Sequence, residues 1–428
     1  MTTTVALIAA LDTKADDAGY IRARLREHGL RVHLIDVGVL DEPLLHADST
    51  REEVADSAGM DLGVLRRRHD RSSAVDVMGA GARRIVEDLV ATESIQGVFA
   101  LGGGAGTTIG SIVMRDLPLG FPKAILSTVA SGNTANYVGT SDIVMFPSIV
   151  DVAGLNRISS VTYTQAADAF AGMVNGLSTR PDVSPTADRP LVAASMFGVT
   201  TQAVMCAKSI LENAGCEVVV FHATGTGGRT MERLISEGYF DAVLDLTTTE
   251  WSDEVVGGIL SAGPTRLESA ARHGVPQVVS LGATDMVNFG APDTIPGTFA
   301  NRLLYHHNAE NTLMRVTSDE ARQIGEAIGR KLRLATGPCT LLIPLRGTSA
   351  LDAEGEPFDR PRGPPRPVRR RQVVPGRLGG DRDRHRPAHQ RRGLRDLCCP
   401  STARLPQPRP LHSPSEQPCL RTTNSALP

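Results

Sequence analysis

Three stretches of this chain place glycines and small polar residues directly after an apolar run. The first is "VFALGGGAGTT", residues 98–108. Gly102, Gly103, Gly104 and Gly106 allow positive φ and close backbone approach. A helix opening near residue 105 would aim free N–H groups at an anion. Thr107 and Thr108 add hydroxyl donors. No GK[ST] follows, so this is not a Walker A loop, and "GGGAGTTIG" fits several registers of GxGxxG. The chemistry on offer is the cradling of a phosphate or another anion. A glycine turn required only for strand–helix packing is the alternative.

The second stretch, "TVASGNT", carries Ser131, Gly132, Asn133 and Thr134. Such residues line ligand mouths and also make ordinary Asx and ST turns. The third, "FHATGTGGRT", repeats the strand, glycine loop and helix pattern, with Arg229 at the helix start. A guanidinium beside free N–H groups favours phosphate or carboxylate. A surface arginine on a glycine turn is the plainer reading.

Carboxylates follow the same geography. Asp12 and Lys14 of "LDTK" end the first apolar run. Asp12 suits a ribose hydroxyl, a Mg²⁺ ion or a helix cap. "DLTTTEWSDE" offers Asp245, Glu250, Asp253 and Glu254, and "LGATDMVNFG" offers Asp285 and Asn288. "YHHNAENTLMR" holds His306 and His307, whose adjacency points them to different faces. The chain lacks HExxH and GxSxG, and none of its six cysteines forms CxxC. No metal site and no catalytic constellation is expected from these patterns.

The elements that must position these loops alternate between strands and helices. "TVALIAAL" reads as a strand and "DDAGYIRARLREHG" as a helix capped by Gly29. "LRVHLIDVGVL" and "GVFAL" are further strands, separated by a helix-rich stretch. "LNRISSVTYTQAADAFAGMVNGL" is a long helix, and "STRPDVSPTADRP" a Pro-rich linker. "LVAASMFG", "CEVVVFH", "AVLDL", "PQVVSLGATDMVNFG" and "CTLLIPL" continue the alternation. "TSDEARQIGEAIGRKL" reads as a helix with Thr317 or Ser318 as N-cap and Glu320 early in its first turn. The fold class is therefore α/β: two Rossmann-like open, mostly parallel sheets at residues 1–180 and 190–355, then a disordered Arg/Pro-rich tail at 356–428. In such sheets ligands bind beyond the carboxyl ends of the strands, where these loops fall.

Composition agrees. The 428 residues are 41% hydrophobic but only 4% aromatic, and the formal net charge is −2. Bulk attraction to nucleic acid or an anionic membrane is not expected. No apolar run reaches the ~18 residues of a membrane span, and reduced thiols suit a cytoplasmic protein.

Taken together, "LDTK", "LGGGAGT", "TVASGNT", "DIVMFPSIVDVAGLNRI", "FHATGTGG", "LDLTTTE", "DMVNFG", "HHNAENTLMR" and "PLRGTSALD" resemble the Tm-one-like ATP-binding family. That family includes the N-terminal region of the tomato mosaic virus resistance protein. The resemblance spans residues 1 to about 355. It implies two Rossmann-like domains, with ATP and Mg²⁺ held by glycine-rich loops of the first. Carried onto this chain, the phosphate candidates are Gly102, Gly103, Gly104, Gly106, Thr107, Ser131, Gly132, Asn133 and Thr134, with Asp12 and Lys14 beside them. It also implies a homodimer, and a separate barrel protein resembling phosphoenolpyruvate-utilising enzymes as partner. An enzyme acting on a phosphorylated small molecule at an interdomain cleft is the second reading. In the tail, the codons of "AHQRRGLRD" read one base later can spell His-Ile-Asn-Asp-Glu-Ala-Phe-Ala, the family's ending. The expectation is that residues from about 359 are a frameshifted product.

Overall fold

The computed structural model describes residues 3–179 and 189–359. The expected linker core and the tail beyond Asp359 lie outside those residues, as does the frameshift expectation.

The first half is a five-stranded parallel sheet, sheet A. Its strands are β1 (Thr4–Ala9), β2 (Arg31–Asp36), β3 (Val98–Gly102), β4 (Lys123–Ser127) and β5 (Val144–Pro147), in the order β2-β1-β3-β4-β5. The central strands β1, β3 and β4 are buried along nearly their whole length because both faces are covered, whereas the edge strand β5 is exposed or half-buried. Val5, Leu7, Phe99, Leu101, Ala124 and Leu126 face α1 (Ala15–Glu27) and the later helix Arg157–Asn175. The alternate residues Ala6, Ile8, Val98, Ala100 and Ile125 face α2 (Arg51–Ser57), α3 (Leu62–Arg68), α4 (Arg71–Ala91) and α5 (Gly104–Met114). A short α6 (Ala135–Val138) and the long helix, α7 (Arg157–Asn175), complete this half. Asn156 caps α7 by accepting from the Ile158 and Ser159 amides.

The second half repeats the plan. Strands β6 (Leu191–Met196), β7 (Glu217–His222), β8 (Ala242–Asp245) and β9 (Gln277–Ser280) are parallel. Helices α8 (Thr201–Asn213), α9 (Thr226–Ser236), α10 (Glu250–Val256) and α11 (Ser269–His273) connect them. A three-stranded antiparallel sheet then interrupts the alternation. It is built from β10 (Met286–Phe289), β11 (Leu304–Asn308) and β12 (Asn311–Arg315). After α12 (Ser318–Leu332), β13 (Cys339–Leu342) adds the last strand. Sheet B runs β7-β6-β8-β9-β13, the same topological order as sheet A. Of the two expected N-cap candidates, Thr317 is the one used, in a capping box: Thr317 accepts from the Glu320 amide, and Glu320 accepts from the Thr317 amide. Sheet B ends on exposed apolar residues, with Leu341, Leu342 and Ile343 each 40–45% exposed. By contrast Phe358, at the end of the described chain, is fully buried against Leu351 and Leu313.

One buried cation organises the second half. Arg266 is 1% exposed and grips three carboxylates. Its two terminal nitrogens donate to Asp245 at 2.5 and 2.8 Å, Nε donates to Glu250 at 2.7 Å, and Nη1 also reaches Glu232 at 3.1 Å. Those acids come from β8, α10 and α9, so one side chain ties strand to two helices. Burial makes a half-broken pair costly. Arg266→Met should destabilise the fold by about 3–5 kcal/mol, because it leaves buried carboxylates without a cation. Urea unfolding followed by circular dichroism checks this, and a loss under about 1 kcal/mol would contradict it.

Among the described residues, no helix is long and apolar enough to cross a membrane.

Candidate functional site

The strand order of sheet A reverses between β1 and β3, which are direct neighbours. That is the switch point where an open α/β sheet leaves a crevice beyond its carboxyl edge. The loop 102–107 follows β3, and Asp12 and Lys14 follow β1.

The four glycines of the loop are not equivalent. A Cβ on Gly106 would lie 2.8 Å from the Leu101 carbonyl oxygen, and one on Gly102 would lie 3.1 Å from Gly106 Cα. Further along α5, a Cβ on Gly110 would lie 2.7 Å from Ala100 Cβ. These three let α5 press against β3, which is a packing demand. Gly103 and Gly104 answer no such demand. The nearest atom to a Cβ on Gly103 is Thr128 Oγ1 at 3.6 Å, and a Cβ on Gly104 would meet nothing within 4 Å. Gly103 is the N-cap of α5, and no side chain caps this helix. Its first N–H groups, at the positive end of the helix dipole, therefore have no side-chain acceptor among the described residues.

Thr107 is fully buried. Its hydroxyl bonds the Gly103 carbonyl at 2.9 Å and Ser127 Oγ at 2.6 Å. It therefore shapes the loop from beneath, tying α5 to β4. The Thr128 amide donates to the Gly102 carbonyl at 3.3 Å, which brings the start of the second candidate loop alongside the first. Within that loop Ser131, Gly132 and Asn133 are exposed and Thr134 is half-buried. Asn133 accepts from the Ala135 amide at 3.1 Å, an Asx turn that starts α6.

Asp12 and Lys14 differ in how far they are committed. One Asp12 oxygen accepts from the Leu40 amide at 2.9 Å, and Gly38 lacks a Cβ where Asp12 packs, at 2.8 Å. Asp36, at the end of β2, accepts from the Leu11 and Gly38 amides, and burial raises its carboxyl above the usual range. Lys14 is half-buried at the head of α1 and its ammonium has no partner among the described residues. The carboxyl ends of the neighbouring strands β1 and β3 thus lead to a lysine without a partner among the described residues and to a helix start without a side-chain cap.

The third stretch differs sharply. Glu250 Oε1 accepts from the Gly225 amide at 2.7 Å and the Gly228 amide at 3.0 Å. The protein's own carboxylate occupies the N-terminus of α9, and Arg266 holds it there. The glycines are packing requirements too: a Cβ on Gly227 would lie 1.8 Å from the His222 carbonyl oxygen, and one on Gly228 would lie 2.1 Å from Glu250 Oε2. Arg229 donates to the Ser261 carbonyl and to Thr226 Oγ1. The anion position expected here is filled from within. The switch point of sheet B is likewise closed by side chains: Thr200 bonds Thr247 at 2.7 Å, and Thr248 donates to the Ser280 carbonyl.

The remaining acids of the second half serve internal ties. Asp285 accepts from Thr348 and Ser349, both at 2.8 Å, and burial raises its carboxyl. Asp253 accepts from the Asn288 backbone at 2.9 Å and side chain at 2.7 Å, and burial pushes its pKa up to about 7. His306 and His307 lie on β11, on alternate faces and exposed. Among the described residues no group of three or more His, Cys, Asp or Glu could hold a metal ion.

Arg233 of α9 joins the two halves by hydrogen bonds. It donates to the Leu117 carbonyl at 3.1 Å and the Thr140 carbonyl at 3.3 Å. Both carbonyls precede a strand, so they lie at the amino edge of sheet A, opposite the glycine loop.

Two doubly wound α/β units in tandem, the first with an open switch-point loop and the second with its own closed, define the class of protein. The chain belongs to the UPF0261 family: residues 3–179 match the N-terminal domain and residues 189–365 the C-terminal domain of that uncharacterised protein family. It is 49% identical over 354 residues to a UPF0261 protein of Clostridium tetani, covering 83% of this chain and 87% of that one. It is 44% identical to UPF0261 protein RA0729 of Rhizobium meliloti over 83% and 87%. It is also 43% identical over 292 residues to the tomato ToMV resistance protein Tm-1(GCR237), which covers 68% of this chain but 39% of the tomato protein.

Two stability predictions follow from this geometry. Gly106→Ala should destabilise the fold by about 1–3 kcal/mol through overpacking, whereas Gly104→Ala should stay within about 0.5 kcal/mol. Thermal melts of both variants check the contrast. Asp253 has a folded-state pKa raised from 3.8 to about 7. The folded state then binds the extra proton, so stability falls as pH rises from about 4 to about 7. Asp253→Asn should flatten the pH dependence of urea midpoints in that window. An unaltered profile would contradict it.

Proposed function

We propose that this protein binds a nucleotide, ATP with Mg²⁺, with its phosphates on the loop 102–107. The observation that carries the reading is the open start of α5, where Gly103 and Gly104 have space instead of neighbours. The internal comparison supports it: where α9 offers amides in the same way, the fold supplies Glu250 as the anion. Sequence kinship with the tomato protein over most of this chain agrees with the family resemblance.

The roles divide as follows. The amides of residues 104–106 would hold phosphate oxygens, as at other helix N-termini. Lys14 would neutralise phosphate charge from the adjoining strand end. Asp12 would contribute a carboxylate to Mg²⁺, which takes one or two carboxylates together with phosphate oxygens. Ser131, Gly132, Asn133 and Thr134 would border the phosphate loop, reached through the Thr128–Gly102 bond. Thr107 would fix the loop from beneath through its bonds to Gly103 and Ser127. The reading includes a homodimer in the cytoplasm and a separate barrel protein as partner. The length of the tomato relatives beyond the matched part fits that last element.

An enzyme completed at an interdomain cleft gains no support, because the bonds joining the halves lie at the opposite edge of sheet A.

The test uses side chains that the fold itself tolerates. Gly103→Val and Gly104→Val should keep the melting temperature of the parent and lose at least tenfold in affinity for Mg-ATP by titration calorimetry. Lys14→Met should weaken binding in the same direction. Unchanged affinity in folded Gly104→Val would remove the loop from the site.

A further inference from the structure

The two carbonyls gripped by Arg233 are the far ends of the two candidate ligand loops. The glycine loop runs directly into α5, whose eleven residues descend the sheet by roughly 16 Å at 1.5 Å per residue. Three residues after α5 comes Leu117, whose carbonyl accepts from Arg233 Nη2. The loop 131–134 runs directly into α6, and two residues after α6 comes Thr140, whose carbonyl accepts from Arg233 Nη1. Arg115, the C-cap of α5, donates to the carbonyls of Asn136 and Tyr137, so the two descending segments are bonded to each other.

The contact is anchored on both sides. Glu237 holds Arg233 Nε at 2.6 Å on α9. On the sheet A side, the buried ammonium of Lys123 donates to the carbonyls of Leu117 and Pro118 and pairs with Asp142 at 2.7 Å. Around the clasp the interface is loosely filled. A polar cavity of about 330 Å³ is lined by Thr140, Arg229, Arg233, Ser236 and Thr265. No described hydrophobic cluster contains residues from both halves. A junction of this kind, small and polar, leaves two domains free to reorient.

We propose that Arg233 couples occupancy of the glycine loop to the second half. Ligand on the loop biases α5 and α6, their lower ends move the Leu117 and Thr140 carbonyls, and the guanidinium passes that shift to α9. A single planar fork suits the task, because it reads two carbonyls at once. Glu232, the residue immediately before Arg233 on the same helix, belongs to the Arg266 cluster. A shift of α9 therefore reaches the core of the second half. The inference rests on the nucleotide reading above.

Hydrogen–deuterium exchange of the full chain, with and without Mg-ATP, tests it. In the parent, Mg-ATP should slow exchange at residues 103–107 and change it at least twofold at 226–236. In Arg233→Ala the change at 103–107 should persist and the change at 226–236 should vanish. Glu237→Gln, which keeps both carbonyl bonds, should respond like the parent. An unaltered response of 226–236 in Arg233→Ala overturns the coupling. So does a parent in which 103–107 responds and 226–236 does not. Absence of any response at 103–107 would instead refute the nucleotide reading, and the coupling with it.

Discussion

A helix begins with backbone N–H groups that have no partner inside the helix, and something must accept from them. This constraint separates the two halves of the molecule. At α9 the acceptor is Glu250, delivered from β8's following loop and held by Arg266. At α5 there is no capping side chain among the described residues, and Gly103 and Gly104 have room for a Cβ. One topology, used twice, is closed in one copy by an internal anion and open in the other. The functional reading of the chain depends on that difference.

The closed copy shows what the internal solution requires. Glu250 is buried, and desolvation raises its carboxyl; the Arg266 guanidinium and the Gly225 amide oppose that rise. A single arginine then serves three acids, with Ser195 and the Leu267 and Ser269 amides completing their bonds. Replacing an external anion by an internal one thus draws β6, β8, α9, α10 and the loop before α11 into one polar network. Such a network is rigid only when every member is satisfied. The open copy has no equivalent. There Asp36 and one oxygen of Asp12 accept from backbone amides of the β1 and β2 loops, and Lys14 has no partner among the described residues.

Much of this architecture is legible from residue patterns. Continuous apolar runs such as "VALIA" and "VFAL" announce strands buried on both faces, and Asn156 and Thr317 mark helix starts by their side-chain chemistry. The antiparallel sheet is the main departure. "DMVNFG" reads as one more step of the strand–helix alternation, yet β10 pairs with β12. The missed signal is the pair "LYHHN" and "NTLMR" flanking Ala309 and Glu310, a two-residue connection that only a hairpin can use. The glycine loops mark a deeper limit. "LGGGAGTT" and "ATGTGG" offer the same residue types. Only the fold reveals that Gly106 is dictated by the Leu101 carbonyl, that Gly104 is not dictated by anything, and that a glutamate 25 residues downstream of Gly225 fills the second loop. Long-range placement of this kind leaves no trace in local spacing.

The central claim is that the start of α5 accepts an anion and the start of α9 does not. Its most direct measurement is an amide NMR titration of glycine-labelled protein with Mg-ATP. The account predicts that the amide signals of Gly103, Gly104 and Gly106 shift with saturation while those of Gly225, Gly227 and Gly228 stay in place. Saturable shifts at the second set, or none at the first, would contradict it.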